Sequence, residues 1–261
     1  MKIQALQTII HHASDIIFWL DATTGKSGTI ADMQRIKAVL SVELSSRPRD
    51  LKLLYKPGRM VMWRDSDSSE VNGLPTEAER TRPTPDTYAL TGTVFDDEGN
   101  YNPRTFNLSV GLGDGHTVTL YPTPKNTRIG MGGGLVGNIR FFDTELPAAW
   151  ALLSLEVEIA PHTDLTFVAQ ADSNGDFSLA MSRLPPLPEN VDDYEAKLTI
   201  HATTTADGNV PMDPSGQDEM EIAVLDEADE YEDELQIHVV PGEILNLKSF
   251  NKEFLAVRPT E

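Results

Sequence analysis

Three glycines have the spacing of the dinucleotide-binding fingerprint Gly-x-Gly-x-x-Gly, namely Gly132, Gly134 and Gly137. That fingerprint binds a pyrophosphate where a strand precedes it and a helix begins in it, because the helix N-terminus then faces the phosphates. Here, turn residues 123–126 come before the glycines and strand-like residues 139–142 follow them. The sequence therefore predicts no nucleotide site at this position.

We interpret the same segment as a mobile glycine loop. Ordering such a loop costs much backbone entropy, and this cost is most readily offset when a partner surface covers the loop. We therefore predict that the loop contacts a partner subunit. Its predicted contact residues are Gly130, Gly132, Gly133, Gly134 and Gly137.

Metal-like patterns in the chain have simpler explanations. Asp172, Asn174 and Asp176 are spaced like the first ligands of a calcium loop, but the twelfth position, which needs a bidentate Glu, is Arg183. A hairpin turn therefore explains this stretch better. Six histidines, at positions 11, 12, 116, 162, 201 and 238, share no metal-ligand spacing. No metal ligand is predicted.

Nothing in the sequence indicates a catalytic group. The chain contains no Cys and no Gly-x-Ser-x-Gly, so neither a thiol nucleophile nor a nucleophile elbow is predicted. A total of 41 acidic residues would always permit a carboxylate pair, and their number therefore indicates none. We predict no catalytic residue and no cofactor, and we expect that the protein is not an enzyme.

The charge distribution indicates which partners the chain binds. Its formal net charge of −20 argues against a nucleic-acid surface, because phosphate contacts need clustered Lys and Arg. Between Asp213 and Glu234 there are eleven acidic residues and no basic one. We interpret this segment as an acidic loop that prefers a basic surface. Its predicted contact residues are Asp226, Glu227, Asp229 and Glu230.

The three tryptophans receive different predicted roles. Trp19 and Trp63 lie in apolar runs and are predicted to pack in a core. Trp150 follows Pro147 in a predicted loop, so it is the candidate for a surface contact. An exposed Trp would also suit a carbohydrate-stacking platform, and this interpretation stays open as an alternative.

The elements that would position these residues are predicted to be strands. Apolar residues alternate in residues 36–44, where a helix also fits, and residues 51–63 are predicted to form a hairpin. From Tyr88, eight short alternating segments are separated by Gly, Pro and Asn turns. This pattern predicts a mainly β chain, with an antiparallel β-sandwich, a smaller β-rich N-terminal region and a C-terminal extension.

The loss of periodicity in residues 65–87 predicts a linker or an extended arm. The predicted organisation is a small N-terminal domain over residues 1–64, a sandwich over 88–205, and an acidic loop with C-terminal strands over 206–261. The residues predicted to form the sandwich core are Val94, Leu108, Phe177 and Leu179.

Two stretches of the predicted sandwich resemble the carboxypeptidase regulatory-like (transthyretin-type) family. Gly92-x-Val94-x-Asp96-x-x-Gly99 with Pro103 is similar to its opening, and residues 172–179 with Leu184-Pro185-Pro186 and Tyr194-x-x-x-Leu198 are similar to its end. The resemblance covers roughly residues 88–200 and makes residues 111–150 an insertion. It implies an accessory, adhesive or assembly module.

The predicted function is that of a non-enzymatic structural or assembly protein. No run of 18 apolar residues and no signal-peptide pattern occurs, which predicts synthesis in the cytoplasm without membrane insertion. Sandwich modules of this type usually decorate secreted proteins, and assembly into a phage tail or contractile injection particle reconciles the two observations. The predicted partners are other protein subunits, including copies of this chain. The alternatives are a carbohydrate-binding or adhesive module at a cell surface, and an intracellular enzyme or enzyme-accessory domain.

Overall fold

The computed structural model describes residues 15–25, 30–48, 51–64, 87–160, 163–228 and 230–260. These residues are mainly β, which confirms the predicted fold class, and their helices are the three short 3₁₀ segments Ala22–Thr24, Ile30–Asp32 and Pro214–Gly216. None of the helices in these ranges has the length or the apolar character to cross a membrane. Residues 65–86 of the predicted linker lie outside the described residues, as do His11, His12, His162 and Asp229.

Eighteen strands occur in the described ranges and are numbered in chain order. They are β1 (Asp15–Asp21), β2 (Gln34–Arg35), β3 (Ser41–Ser46), β4 (Leu51–Lys56), β5 (Arg59–Arg64), β6 (Tyr88–Phe95), β7 (Arg104–Val110), β8 (Gly115–Leu120), β9 (Gly134–Phe141), β10 (Leu152–Ala160), β11 (Thr163–Gln170), β12 (Asp176–Ala180), β13 (Tyr194–Ala202), β14 (Asp218–Ala223), β15 (Tyr231–Glu232), β16 (Leu235–Val239), β17 (Ile244–Leu247) and β18 (Leu255–Pro259).

The first eight strands form two sheets packed face to face. In the five-stranded sheet, β8 runs parallel to β1 along one edge, and β5 and β2 pair antiparallel with the other edge. The hairpin β4–β5 turns at Pro57-Gly58, where Gly58 has a φ of 68°. The second sheet has the order β3-β6-β7. Trp19 and Phe106 meet between the two sheets with ring centroids 6.0 Å apart.

The apolar side chains between these two sheets form what we call the N-terminal core. The members that are less than a tenth exposed are Ile17, Trp19, Ile36, Leu40, Leu51, Met60, Met62, Leu90, Val94, Phe106, Val110, Val118 and Leu120. Trp19 is buried, as its apolar run predicts, whereas Trp63 is half-buried and is not among these residues.

The other ten strands form a single curled sheet. β13 pairs with β10 along one edge, and its other edge is shared between β16 at residues 194–198 and β14 at residues 200–202. β9 pairs with β12 on one edge, while β17 and then β18 run parallel to its other edge. A second apolar cluster, the C-terminal core, fills this curled sheet and includes Leu135, Leu155, Phe177, Leu198 and Val257.

The predicted single core over residues 88–200 is wrong. Phe177 and Leu179 are buried in the C-terminal core, whereas Val94 is buried in the N-terminal core and Leu108 packs against that core. The reason is pairing across the sequence, because β6 pairs with β3 and β8 pairs with β1. The alternation of a strand shows which side chains share a face but not which distant strand lies beside it.

Candidate functional site

The predicted glycine loop is a compact turn followed by a strand. The Gly133 amide donates to the Gly130 carbonyl at 3.1 Å, and the Met181 amide donates to the Gly133 carbonyl at 2.9 Å. A Cβ on Gly132 would lie 1.8 Å from the Met181 carbonyl oxygen, so the close approach of the two backbones requires glycine there. The turn is therefore held by hydrogen bonds within the chain, whereas the sequence interpretation was a mobile loop.

Gly134 and Gly137 belong to β9, which lies next to β12 at one end of the curled sheet. A Cβ on Gly137 would lie 2.9 Å from both the Leu247 carbonyl oxygen and the Phe177 ring. These two glycines therefore let neighbouring groups approach β9 closely. In the turn before β9, the side chain of Met131 is 97% exposed to solvent. Any contact made by this segment would therefore use Met131, which the spacing of the glycines did not reveal.

Trp150 is buried, and the prediction that it lies on the surface is wrong. Its side chain is 5% exposed, and its indole Nε1 donates to the Asp207 carbonyl at 3.4 Å. Its backbone has a φ of 63°, a left-handed conformation that is unusual for a large side chain. The Trp150 carbonyl accepts from the side-chain amides of Gln170 at 3.2 Å and Gln217 at 2.8 Å, which hold this conformation in place.

Trp150 lies beside the junction between the two cores. Asn102, which is almost completely buried, donates its side-chain amide to the carbonyls of Gln170 and Ala171, each at 3.2 Å. Arg104 forms an ion pair with Asp213 at 2.8 Å. These contacts connect the chain between β6 and β8 to the curled sheet.

An open cleft of about 310 Å³ runs along this junction, between the turns at Asp96–Gly99 and Asp172–Ser173. The Tyr101 hydroxyl donates to an Asp21 carboxylate oxygen at 2.9 Å. Burial, followed by the Asp21 charge, raises the pKa of Tyr101, so its hydroxyl stays protonated. Asp96 and Asp172 use their carboxylates to accept backbone amides of their own turns. No group of three or more His, Asp and Glu within the described ranges is arranged to hold a metal ion.

The prediction that residues 213–234 form one acidic loop is wrong, because residues 218–223 form β14 with Met220 and Ile222 buried, and Asp213 pairs with Arg104. The part of the segment that is an exposed turn lies between β14 and β15. Asp226, Glu227 and Glu230 all face solvent, and Asp229 lies outside the described residues. A hydrogen bond to Glu230, followed by the charges of Glu230 and Asp226, raises the pKa of Glu227. Because β14 begins a few residues after Asp213 at the junction, the turn lies one strand length farther away, about 20 Å for six residues.

A surface that the sequence interpretation missed lies on the five-stranded sheet. Ile17 and Met60 point into the N-terminal core, so the alternate residues of β1 and β5 point to the opposite side. We call this side the outer face. Its apolar residues are Ile16, Phe18, Leu20, Leu54, Val61 and Trp63, of which Leu54 is 43% exposed, Leu20 is buried and the others are half-buried.

The outer face is basic as well as apolar. The register of the strands places four basic residues on this face, and none of its positions in the described strands is acidic. The Arg35 guanidinium lies 4.1 Å from the centroid of the Phe18 ring, a cation–π contact. The four basic residues are Arg35, Lys52, Lys56 and Arg59.

The sequence contained a signal for this face. Residues 16–20 and 60–63 are apolar at consecutive positions, which indicates strands with apolar side chains on both faces. Residues 1–64 also contain ten Lys and Arg against five Asp and Glu, whereas residues 65–261 contain eleven against 36. The chain is therefore basic at one end and strongly acidic over the rest.

Comparison with models of protein families, with curated proteins and with solved structures found no match to this chain. The resemblance of residues 88–200 to the carboxypeptidase regulatory-like family therefore stays a prediction.

Proposed function

We propose that this protein is a non-enzymatic structural subunit of a larger protein assembly and acts through protein–protein contacts. The observation that supports the proposal most strongly is the outer face of the five-stranded sheet. It presents Phe18, Val61 and Trp63 beside Leu54 on a flat surface, with Arg59 and other basic side chains around them. Aromatic residues and Arg are enriched in protein interfaces, and contiguous apolar surface is uncommon where nothing docks.

The same face favours a protein partner over the other classes. Its basic side chains surround aromatic and aliphatic groups, which suits a protein surface that combines acidic and apolar side chains. The surface candidate named for the carbohydrate-binding alternative was Trp150, and that side chain is buried. Trp63 lies on the outer face, where basic side chains surround it. The predicted setting, a phage tail or contractile injection particle, stays a prediction within this proposal.

The proposal is tested by the size of the complex that contains the protein in cells that produce it. We expect the full-length chain to fractionate with a large complex, and the variant Leu54→Asp/Arg59→Glu to fractionate as free chain. The double variant places two negative charges on the outer face, where they replace apolar and cationic contacts. Lys125→Glu reverses the charge of an exposed residue that lies in none of the described strands; it serves as the control and should stay with the complex.

Circular dichroism of each variant must match the wild type, so that a loss of folding is not mistaken for a loss of contact. If the wild-type chain fractionates alone, or if the double variant remains with the complex like the control, the proposal is wrong. Turnover of a substrate by the purified protein would refute the non-enzymatic class.

A further inference from the structure

We infer that the outer face binds the acidic C-terminal half of a second copy of this chain, in a head-to-tail contact. This inference rests on the proposed function and names the partner of the outer face. The outer face is basic, and the turn between β14 and β15 in the curled sheet is acidic.

The outer face needs an anionic partner. Lys56 and Arg59 are exposed at the hairpin end of β4 and β5, and none of the ion pairs formed among the described residues involves either side chain. Arg35 adds a third cation beside Phe18. Because an exposed cation gains most from a carboxylate that approaches it with apolar surface alongside, the matching surface must combine acidic and apolar groups.

The curled sheet of the same chain offers such a surface. Beside the turn that bears Asp226 and Glu230, the rings of Phe142 and Tyr231 meet edge to face at 5.5 Å, and both are half-buried. Two cations cover these rings: the Lys252 ammonium lies 4.9 Å from the Phe142 ring centroid, and the Arg258 guanidinium lies 4.2 Å from that of Tyr231. Each cation also has an anionic neighbour in its own copy. Arg258 pairs with Glu221 at 2.5 Å, and Lys252 lies 3.7 Å from Glu145.

The carboxylates of this turn are crowded in the single molecule. A hydrogen bond to Glu230, followed by the charges of Glu230 and Asp226, raises the pKa of Glu227, since these carboxylates lie close together in the turn. Cations from another molecule would relieve that repulsion. The contact is therefore expected to weaken as salt is raised and as the carboxylates become protonated.

The two surfaces belong to different parts of the molecule, the five-stranded sheet and the curled sheet. The outer face points away from the N-terminal core, and the acidic turn lies at the end of β14 that is remote from Arg104 and Asp213. Each copy therefore presents one surface of each kind to two different neighbours. Contacts of this heterologous type build rings when the rotation closes and filaments when it does not.

The test is sedimentation velocity of the full chain over a range of concentrations, in about 0.05 M and about 0.5 M salt. We expect wild-type chain to self-associate at low salt. The face variant Lys56→Glu/Arg59→Glu and the turn variant Asp226→Lys/Glu230→Lys should each weaken association by at least about tenfold, because each places like charges on both surfaces.

An equimolar mixture of the face and turn variants supplies the decisive measurement. In the mixture, the acidic face of one variant meets the basic turn of the other, and the unchanged surfaces also match, so association should return to near the wild-type strength. A general loss of folding would not be restored by mixing. Glu98→Lys and Lys125→Glu, both exposed and outside these surfaces, should associate like wild type.

Three outcomes would overturn the inference: wild-type chain that stays monomeric at every concentration, single variants that associate like wild type, or a mixture that does not recover. If the purified chain is monomeric but still fractionates with a large complex in cells through its outer face, the occupant is a different protein. The proposed function would then stand while this inference fails.

Discussion

At the scale of single residues, the turn at 130–133 contains glycines with different structural roles. A Cβ on Gly132 would meet the Met181 carbonyl at 1.8 Å, whereas a Cβ on Gly130 would meet nothing within 4 Å. The two glycines are only two positions apart in the chain, but the groups around them differ, and only Gly132 has a neighbour that excludes a side chain.

We predict that Gly132→Ala destabilises the protein by about 1–3 kcal/mol, because the backbone of residue 132 or 181 must move to admit the methyl group. Gly130→Ala, the matched control, should change stability by less than about 0.5 kcal/mol. The measurement is the urea unfolding midpoint, with an unchanged slope showing that the unfolded state is the same. Equal effects of the two variants would mean that the turn is not packed as described.

The candidate contact residues were predictable only in part. Asp226, Glu227 and Glu230 are exposed, as expected for a dense run of carboxylates that cannot be buried without partners. Trp150 could not be placed from its sequence neighbours. Pro147 suggested a loop, but Ala148, Ala149 and Ala151 are also buried, and small residues of this kind let a chain pass close to other backbone.

At the scale of elements, local alternation predicted the strands better than it predicted their partners. Leu153, Leu155 and Val157 alternate in sequence, and all three side chains of β10 are buried. For residues 36–44, the alternation predicted a strand that begins too early. β3 begins only at Ser41, and Ile36 and Leu40 are buried without belonging to a strand. The parallel pairing of β18 with β9 left no local signal, because more than a hundred residues separate the two strands.

Phe177 in β12 provides a test of the C-terminal core. We predict that Phe177→Ala lowers the free energy of unfolding by about 3–5 kcal/mol, because the buried ring lies among the apolar residues inside the curled sheet and its loss leaves a cavity. Phe250→Ala, at an exposed phenylalanine outside both cores, is the matched control and should cost less than about 1 kcal/mol. A loss below about 1 kcal/mol for Phe177→Ala would show that its register in β12 is wrong.

At the scale of the whole molecule, the two cores are coupled through the stretch of residues 102–105, and the 3₁₀ segment Ala22–Thr24 also packs against β11. The side-chain amide of Asn102 donates two hydrogen bonds across the junction, to the carbonyls of Gln170 and Ala171. The relative placement of the outer face and the acidic turn depends on this stretch. Its rigidity therefore bears directly on any assembly built from both surfaces.

We predict that Asn102→Asp uncouples the two cores. The new carboxylate would face the carbonyl oxygens of Gln170 and Ala171 and could donate nothing to them while ionised. Calorimetry should then show two separated thermal transitions in place of a single one. Asn107→Asp makes the same chemical change at an exposed position of β7 and should leave the wild-type profile intact. A single, unshifted transition in Asn102→Asp would contradict the junction described here.

The position of β18 also has a consequence for the order of events during synthesis on the ribosome. All the strands around the N-terminal core have been translated by Leu120, so that half can fold while the rest of the chain is still being made. The curled sheet cannot close in the same way, because β18 fills the gap between β9 and β14 and is translated after both. Until residue 259 has left the exit tunnel, those two strands keep unpaired edges, and a nascent chain that stalls before that point would expose them to other chains.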